Sequence, residues 1–408
     1  MSTKFTRWLF LAELTVLFAL VFQLNIFNGV DPAWFGLHQA DSEAIVLSGV
    51  YHQKATGGDA IPLGYYSYPD EGWVPLVFER FRSDSLAGLR YTEYSSNYGL
   101  QGHLFGFISR LLHTTNPSVL EAFNSIVSGL LFALFVDWVR QYYGPREAIA
   151  MAIGIVASTW IIVFARNLYW VSWTWFLPMT ANGALLLQEK LTRPRWALVY
   201  GATAITVWIK ALCGYEYIST ITVMACIPAV LYCIEQGIPL LRSLLHLISI
   251  MVASVFGFGI ALLMHASARA PNLLDGLRLI KQDAIRRTEG LAGDPTIGVS
   301  RVDVLKKYLF DWDRASTAFI NIPMWVILLF AILSVVSLTL NRKSDRRGHA
   351  LGIAFIFSLL GPLSWLLLAK QHSVIHTHMN YVLWYTPSLF LALLCITRRW
   401  SNRNLLPQ

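Results

Sequence analysis

The residues best suited to chemistry form a short acidic group, Asp41-Ser42-Glu43, that follows the first apolar stretch of the chain. A carboxylate there could remove a proton from a hydroxyl group as a general base. Residues two apart on a helix point about 200° apart, so Asp41 and Glu43 cannot both face one substrate, whereas His38 and Asp41 can. The spacing favours Asp41 as the base, with Glu43 as the second candidate. Ordinary surface acids are the alternative, because acidic residues are mostly exposed.

Basic side chains that could hold a phosphate occur in distant parts of the chain. Arg166 ends one apolar run, and Lys210 lies within another that is followed by Tyr215 and Glu216. An ionised residue inside a membrane span is functional by default. Either Lys210 reaches a phosphate while Glu216 orients it, or the two only pair at a tight turn.

Three histidines follow at positions i, i+4 and i+6, and they are His372, His376 and His378. Such a group could ligate a metal, but no carboxylate or cysteine at a fixed spacing accompanies it. Contact with a phosphate or a sugar is the favoured interpretation. No metal site is predicted, and a divalent cation is retained as an alternative cofactor.

The elements that must position these residues are membrane helices. Of 408 residues, 55% are hydrophobic and 14% charged, whereas a soluble domain has about a quarter charged residues. A helix needs about 20 apolar residues to cross a bilayer, and this length predicts about ten spans in one integral membrane domain, residues 1–408. The spans are expected near residues 8–27, 119–138, 148–165, 174–188, 196–212, 218–235, 244–266, 320–340, 350–370 and 382–396.

Lysine and arginine accumulate in alternate short segments, which predicts that both termini are cytoplasmic in a bacterial inner membrane. The first apolar run is expected to remain as an anchor, since no small-residue cleavage site follows it. Two long polar segments, residues 28–118 and 267–319, are then extracytoplasmic loops. The net charge of +8 follows topology rather than one soluble face, which argues against nucleic acid as a partner.

Amphipathic helices are predicted inside both loops. Apolar residues recur at helical spacing in residues 37–51, 100–111 and 273–284. Such helices can lie flat on a membrane surface. In the second loop a basic stripe accompanies the apolar one, and it would contact either anionic lipid or a donor phosphate. This stripe comprises Arg278, Lys281, Arg286 and Arg287.

The acidic pair after the first span, the surface helices and the multi-span core together resemble the GT-C superfamily of polytopic glycosyltransferases. The protein O-mannosyltransferases and the aminoarabinose transferase of lipid A are similar in layout. The segment 94–102, which contains Gln101, stands where those transferases often carry His-Pro-Pro-Leu, and the double proline is missing here. The departure leaves the subfamily, and therefore the substrate, open.

The resemblance implies a polyprenyl-phosphate-linked sugar as donor and a glycan, lipid or protein hydroxyl as acceptor. Asp41 would be the base and one displacement would invert the anomeric centre. His38, Gln101, Tyr215 and Glu216 would support the site. The donor phosphate would be held by basic residues of the outer face, namely Arg166, Lys210, His372, His376 and His378.

Two other functions fit the same composition. An O-antigen polymerase has a similar layout, and its Arg-x10-Gly spacing occurs from Arg287 to Gly298, although one such match is expected by chance. A transporter or flippase of lipid-linked sugars would show an internal repeat and broken helices. A transferase requires a cavity that joins Asp41 to the basic residues, whereas a transporter requires a path to both sides.

Overall fold

The computed structural model describes residues 3–57, 61–67, 73–85, 89–186, 192–290, 298–310, 323–340 and 345–403. The first half of the chain forms α1 (Thr3–Leu24), α2 (Ala33–Thr56), β1 (Gly64–Ser67), α3 (Trp73–Arg82), β2 (Arg90–Glu93), α4 (Leu100–Leu111), α5 (Pro117–Tyr142), α6 (Pro145–Val156), α7 (Thr159–Ala165), α8 (Trp173–Leu186) and α9 (Arg193–Cys213).

The second half is helical in every element described. It forms α10 (Ile218–Gln236), α11 (Leu240–Arg269), α12 (Leu273–Glu289), α13 (Arg301–Phe310), α14 (Met324–Leu340), α15 (Arg346–Ser358), α16 (Leu360–Leu368), α17 (Lys370–Ile375), α18 (Thr377–Asn380), α19 (Val382–Trp384), a π-helix (Tyr385–Leu389) and α20 (Phe390–Arg403).

Six helices of the described residues are long and apolar enough to cross a membrane, which confirms an all-α membrane protein. A seventh results if α6 and α7, which meet at a bend of 70°, form one span. Ten crossings remain a prediction, because α8 has 14 residues and α14 has 17, and a π-helix precedes α20. The six are Phe5–Leu24, Pro117–Tyr142, Arg193–Cys213, Ile218–Gln236, Leu240–Arg269 and Arg346–Leu368.

A two-stranded antiparallel sheet lies between α2 and α4, and it pairs Gly64 with Glu93 and Ser67 with Arg90. The sequence predicted only helices in this segment. Strands of four residues are too short to show a clear alternation of polar and apolar residues, so periodicity could not reveal them. Together with α2, α3 and α4 the sheet encloses its own core, which includes Leu47, Tyr66 and Phe105.

Side chains at the helix starts determine where several elements begin. The Asn116 side chain accepts a hydrogen bond from the Ser118 N–H ahead of α5, and Asn272 caps α12 in the same way. A side-chain oxygen at this position satisfies one of the first free N–H groups of a helix. These caps fix where α5 and α12 begin.

Buried acids join the helices at the end of the bundle opposite Glu216. The length of α10, 19 residues or about 28 Å, separates this end from Glu216. Asp137 accepts from Arg7 at 2.8 Å and from Arg140 at 2.7 Å, which joins α1 to α5. Asp345 binds Arg398 through two contacts of 3.0 Å, and Arg398 also reaches Glu147 at 3.5 Å. Ion pairs therefore hold α6, α15 and α20 together at this end.

Candidate functional site

A polar cavity of about 590 Å³ lies where α2, α12 and the segment 371–379 meet. Of the residues singled out in the sequence, Asp41, Glu216, His372 and His376 line it together. They come from three separate parts of the chain. The full lining comprises Leu37, Asp41, Ser42, Ile45, Tyr94, Tyr169, Trp170, Glu216, Arg286, Arg287, Gln371, His372, Ile375, His376 and Met379.

Asp41 is the acid of α2 that faces this polar cavity. It is exposed, and its Oδ1 accepts a hydrogen bond of 2.7 Å from the Ser42 N–H. Burial lowers the pKa of His376, and the negative charge of Asp41 partly opposes that shift. A carboxylate near a neutral imidazole can accept a proton from a bound hydroxyl.

Glu43 lies on another face of α2 and is only 4% exposed. Its Oε1 accepts a hydrogen bond of 3.2 Å from the Leu168 N–H, and it does not line the cavity. Burial raises the pKa of Glu43 well above its usual range, and the charge of Glu121 raises it further, although Arg166 acts in the opposite sense. A carboxyl that is buried and hydrogen-bonded to the backbone suits a structural role.

Buried Glu216 and partly buried Arg287 form an ion pair at 2.8 Å in the cavity wall. Burial alone would raise the pKa of Glu216, but the charges of Arg287 and Lys210 outweigh it and bring the pKa to about 2. The same pairing raises the pKa of Arg287. Both groups are therefore ionised at neutral pH, and the guanidinium is held in one orientation.

The helix α12 brings Arg286 and Arg287 to the cavity. It packs closely on α11, since a Cβ at Gly276 would overlap the carbonyl oxygen of Ala266. Asp283 of α12 also pairs with Arg269 of α11 at 2.8 Å. The basic stripe seen in the sequence is thus divided, with two arginines in the cavity and Arg278 exposed on the other face.

Two of the predicted phosphate ligands lie behind the cavity wall. Lys210 is buried and its Nζ donates to the Gly214 carbonyl at 2.6 Å. Arg166 donates to the Gln23 carbonyl at 3.2 Å, and its guanidinium lies 3.7 Å from the centre of the Phe35 ring. Neither lines the cavity. Spacing along the chain could not show this for Arg166, whose partners Gln23 and Phe35 are distant in sequence, whereas Lys210 is held by a residue only four positions away.

The predicted supporting residues also differ in position. Gln101 is buried and donates to the carbonyls of Tyr169 at 3.2 Å and Cys213 at 2.9 Å, so it braces the wall from behind. Tyr215 lies 2.9 Å from His265 Nδ1, outside the cavity. The side chains of His38 and His378 fall outside the described part of the structure.

An aromatic wall, defined as Tyr94, Tyr169 and Trp170, lines the cavity as well. The hydroxyl of Tyr169 lies 3.4 Å from that of Tyr94 and accepts from Asn97 Nδ2 at 3.1 Å. Trp170 also stacks on Tyr217, with ring centres 6.0 Å apart. The sequence offered no way to separate these rings from the aromatic residues common at membrane interfaces.

Comparison of the chain with protein-family models, curated proteins and solved structures finds no match. The geometry of the site is therefore the basis for assigning a function.

An apolar pocket of about 180 Å³ adjoins the polar cavity, and Glu216, Arg287 and His372 line both. The apolar pocket is formed by α12, α16 and the start of α10, and it includes Ile280 and Trp365. Burial, reinforced by the nearby His376 and Arg287, lowers the pKa of His372 to about 3. His372 is therefore neutral at pH 7 and lies at the boundary between polar and apolar space.

No group of three or more His, Cys, Asp or Glu side chains converges to hold a metal ion within the described residues. His372 and His376 do lie together, with ring centres 4.5 Å apart. The cavity also contains Arg286 and Arg287, which repel cations and attract phosphates, and one of its two carboxylates, Glu216, is paired with Arg287. The donor set here fits an anion better than a metal.

Proposed function

We propose that the protein is a glycosyltransferase that moves a sugar from a polyprenyl-phosphate carrier to an acceptor hydroxyl. The observation that supports this most is the polar cavity, where Asp41 meets Arg286, Arg287 and two histidines. A site of this kind needs a base, an anion site and a neighbouring apolar space. All three are adjacent here.

The donor phosphate is assigned to Arg286 and Arg287, in place of the Arg166 and Lys210 that the sequence suggested. Arginine can hold a phosphate through two parallel hydrogen bonds, and the Glu216 carboxylate fixes the orientation of Arg287. His372 and His376 are neutral and supply additional hydrogen bonds. The positive charge stabilises the phosphate as it leaves.

Asp41 is assigned as the general base. The acceptor hydroxyl gives its proton to the Asp41 carboxylate while its oxygen bonds to the anomeric carbon. The bond from that carbon to the phosphate oxygen breaks, and the phosphate carries away the electron pair. One carboxylate is sufficient because the leaving phosphate needs no protonation, and the single displacement inverts the anomeric centre.

The apolar pocket gives the hydrocarbon chain of the carrier a route away from the phosphate. Arg287 and His372 lie at its mouth, and Ile280 and Trp365 lie inside it. A phosphate bound at Arg287 would direct the first isoprene units of its chain into this space. Burial of apolar carbon there stabilises the complex by about 0.8 kcal/mol per CH₂ group.

The alternative function is a transporter or flippase of lipid-linked sugars. The 70° bend between α6 and α7 favours it, because transporters build their sites from broken helices. The ion pairs of Asp137 and Asp345 oppose it, since they hold the far ends of the helices together. Transport would require these pairs to separate in every cycle.

The decisive experiment supplies purified protein in lipid nanodiscs with a panel of polyprenyl-phosphate hexoses and pentoses and measures released polyprenyl phosphate. We expect turnover of at least one donor, and a fall of 10²-fold or more for Asp41→Asn. Asp31→Asn is the matched control, because Asp31 is an exposed acid whose carboxylate accepts only from the nearby Ala33 N–H in the contacts described. Unchanged turnover in Asp41→Asn would reject the base assignment, and an absence of turnover with every donor would reject the transferase.

A further inference from the structure

The segment 166–172, termed here the cavity loop, is held by side chains rather than by regular secondary structure. Three successive backbone N–H groups donate to side-chain oxygens. The Leu168 N–H donates to Glu43 Oε1 at 3.2 Å, and those of Tyr169 and Trp170 donate to Asn167 Oδ1 at 2.9 and 3.0 Å. Buried N–H groups need such partners, so the shape of the loop depends on these two side chains.

Asn167 also joins this loop to two helices. It is fully buried, and its Nδ2 donates to the Gln39 carbonyl and to Ser42 Oγ, both at 3.4 Å. Those two groups flank Asp41 on α2. The backbone carbonyl of Asn167 accepts from Asn124 Nδ2 of α5 at 2.8 Å. The candidate base and the cavity loop are thereby connected through one side chain.

The cavity loop contains a strained residue directly after the aromatic wall. Val171 has a φ of +39° and its side chain is buried. A β-branched residue rarely adopts a positive φ, and such strain persists only where the surroundings impose it. Residues of this kind concentrate at binding and active sites. The Val171 N–H donates to the Asn167 carbonyl at 3.3 Å, so the strained residue is tied to the backbone of the same asparagine.

We propose that Asn167 is a positioning residue, which holds Tyr169 and Trp170 as a fixed platform for the sugar ring of the donor, opposite Asp41. This inference rests on the proposed function. The sugar must lie between the phosphate at Arg287 and the acceptor at Asp41, inside the cavity that these rings line. A displacement of about 1 Å in a reacting group can lower the rate about 10²-fold, which explains a rigid platform.

Hydrogen–deuterium exchange of the ligand-free protein tests the positioning directly. Asn167→Ala removes the acceptor of two amides, and we expect exchange in the peptide 166–172 to accelerate about tenfold or more. Asn182→Ala is the matched control, because Asn182 is equally buried and donates to Thr203 Oγ1 and the Ala225 carbonyl, both at 2.9 Å, within α8–α10. It should leave that peptide protected. Equal exchange in Asn167→Ala and the parent, or equal acceleration in both variants, overturns the inference.

A second variant and a second readout separate this inference from the proposed function. Asn167→Asp keeps the Oδ1 acceptor and loses the Nδ2 donors, so the loop amides should stay protected while turnover falls. In Asn167→Ala we expect turnover of the accepted donor to fall about 10²-fold, with affinity for sugar-free polyprenyl phosphate within about twofold of the parent, because the phosphate contacts lie elsewhere. Weakened binding of the sugar-free carrier would contradict a role for Asn167 at the sugar. An absence of turnover in the parent rejects the transferase alone, and the exchange data then decide the positioning.

Discussion

Removal of Arg287 should have two separable effects, one on stability and one on phosphate binding. In Arg287→Met the Glu216 carboxylate stays buried, with a side chain only 5% exposed, and loses the guanidinium 2.8 Å away. At an effective dielectric constant of 20 the Coulomb attraction over this distance is about 6 kcal/mol. Loss of one partner from a buried pair typically costs about 3–5 kcal/mol, and we expect a destabilisation in that range.

The double variant Arg287→Met/Glu216→Gln distinguishes the two effects. It removes the unpaired buried charge, so we expect it to recover about 2 kcal/mol or more of the stability lost in the single variant. It does not restore a cation for the phosphate, so affinity for polyprenyl phosphate should stay about 10-fold or more below that of the parent. Neither substitution removes a partner of the hydrogen bond from Lys210 to the Gly214 carbonyl.

Stability is measured by thermal or denaturant unfolding in nanodiscs, and binding by titration of polyprenyl phosphate into each variant. Two results would refute the reasoning. If the double variant unfolds as readily as Arg287→Met, the buried charge is not the cause of the instability. If Arg287→Met binds polyprenyl phosphate as tightly as the parent, Arg287 does not hold the phosphate.

Three further predictions follow from the same contacts. Glu43→Gln keeps an acceptor for the cavity loop, so turnover of the accepted donor should stay within about threefold of the parent. Glu43→Leu removes the acceptor and should lower that turnover about tenfold or more. Gly276→Ala should destabilise the protein by about 1–3 kcal/mol in unfolding assays and weaken polyprenyl phosphate binding, because the new Cβ moves α12 off α11. The pKa of Glu216 falls from 4.5 to about 2 in the folded state. Its pairing therefore stabilises the protein fully above pH 5 and progressively less as the pH falls towards 2. Acid unfolding should show this loss of stability.

Each of these has a matched comparison. A turnover loss in Glu43→Gln as large as that in Asp41→Asn would identify Glu43 as the base instead. Gly259→Ala lies on α11 with open space around the new Cβ, so it should be neutral. If it is as damaging as Gly276→Ala, helix packing is not the reason. Glu216→Gln should remove the part of the stability loss between pH 5 and 2 that Glu216 causes. If the stability of this variant depends on pH as that of the parent does in this range, Glu216 is not the group responsible.

Local periodicity was sufficient to predict where several helices lie. The stripes in residues 37–51, 100–111 and 273–284 all fall within helices, α2, α4 and α12. The prediction that Asp41 and Glu43 face different ways needed only the angle between successive residues, and in the structure Asp41 lines the cavity while Glu43 does not. Such features depend on residues within one or two turns of each other.

The residues proposed to hold the phosphate could not be chosen from sequence, because their surroundings come from distant segments. Arg166 and Arg287 carry the same charge and cannot be distinguished in the sequence. In the structure Arg166 donates to a carbonyl at the end of α1, whereas Arg287 lines the cavity. The contacts of Asn167 could not be inferred from the sequence for the same reason, since its partners lie on α2 and α5. A positive φ at Val171 likewise has no signature in composition.

The ion pairs at the far ends of the helices also constrain how the chain is assembled in the membrane. Glu147 belongs to α6, yet its cation, Arg398, lies in α20 and emerges from the ribosome some 250 residues later. Until then Glu147 and Asp345 have no counter-charge from this arginine, so the early helices cannot settle into their final arrangement. Insertion of α20 is therefore the step that brings this arginine to α6 and α15, and we expect chains that stop before it to be targets of membrane quality control.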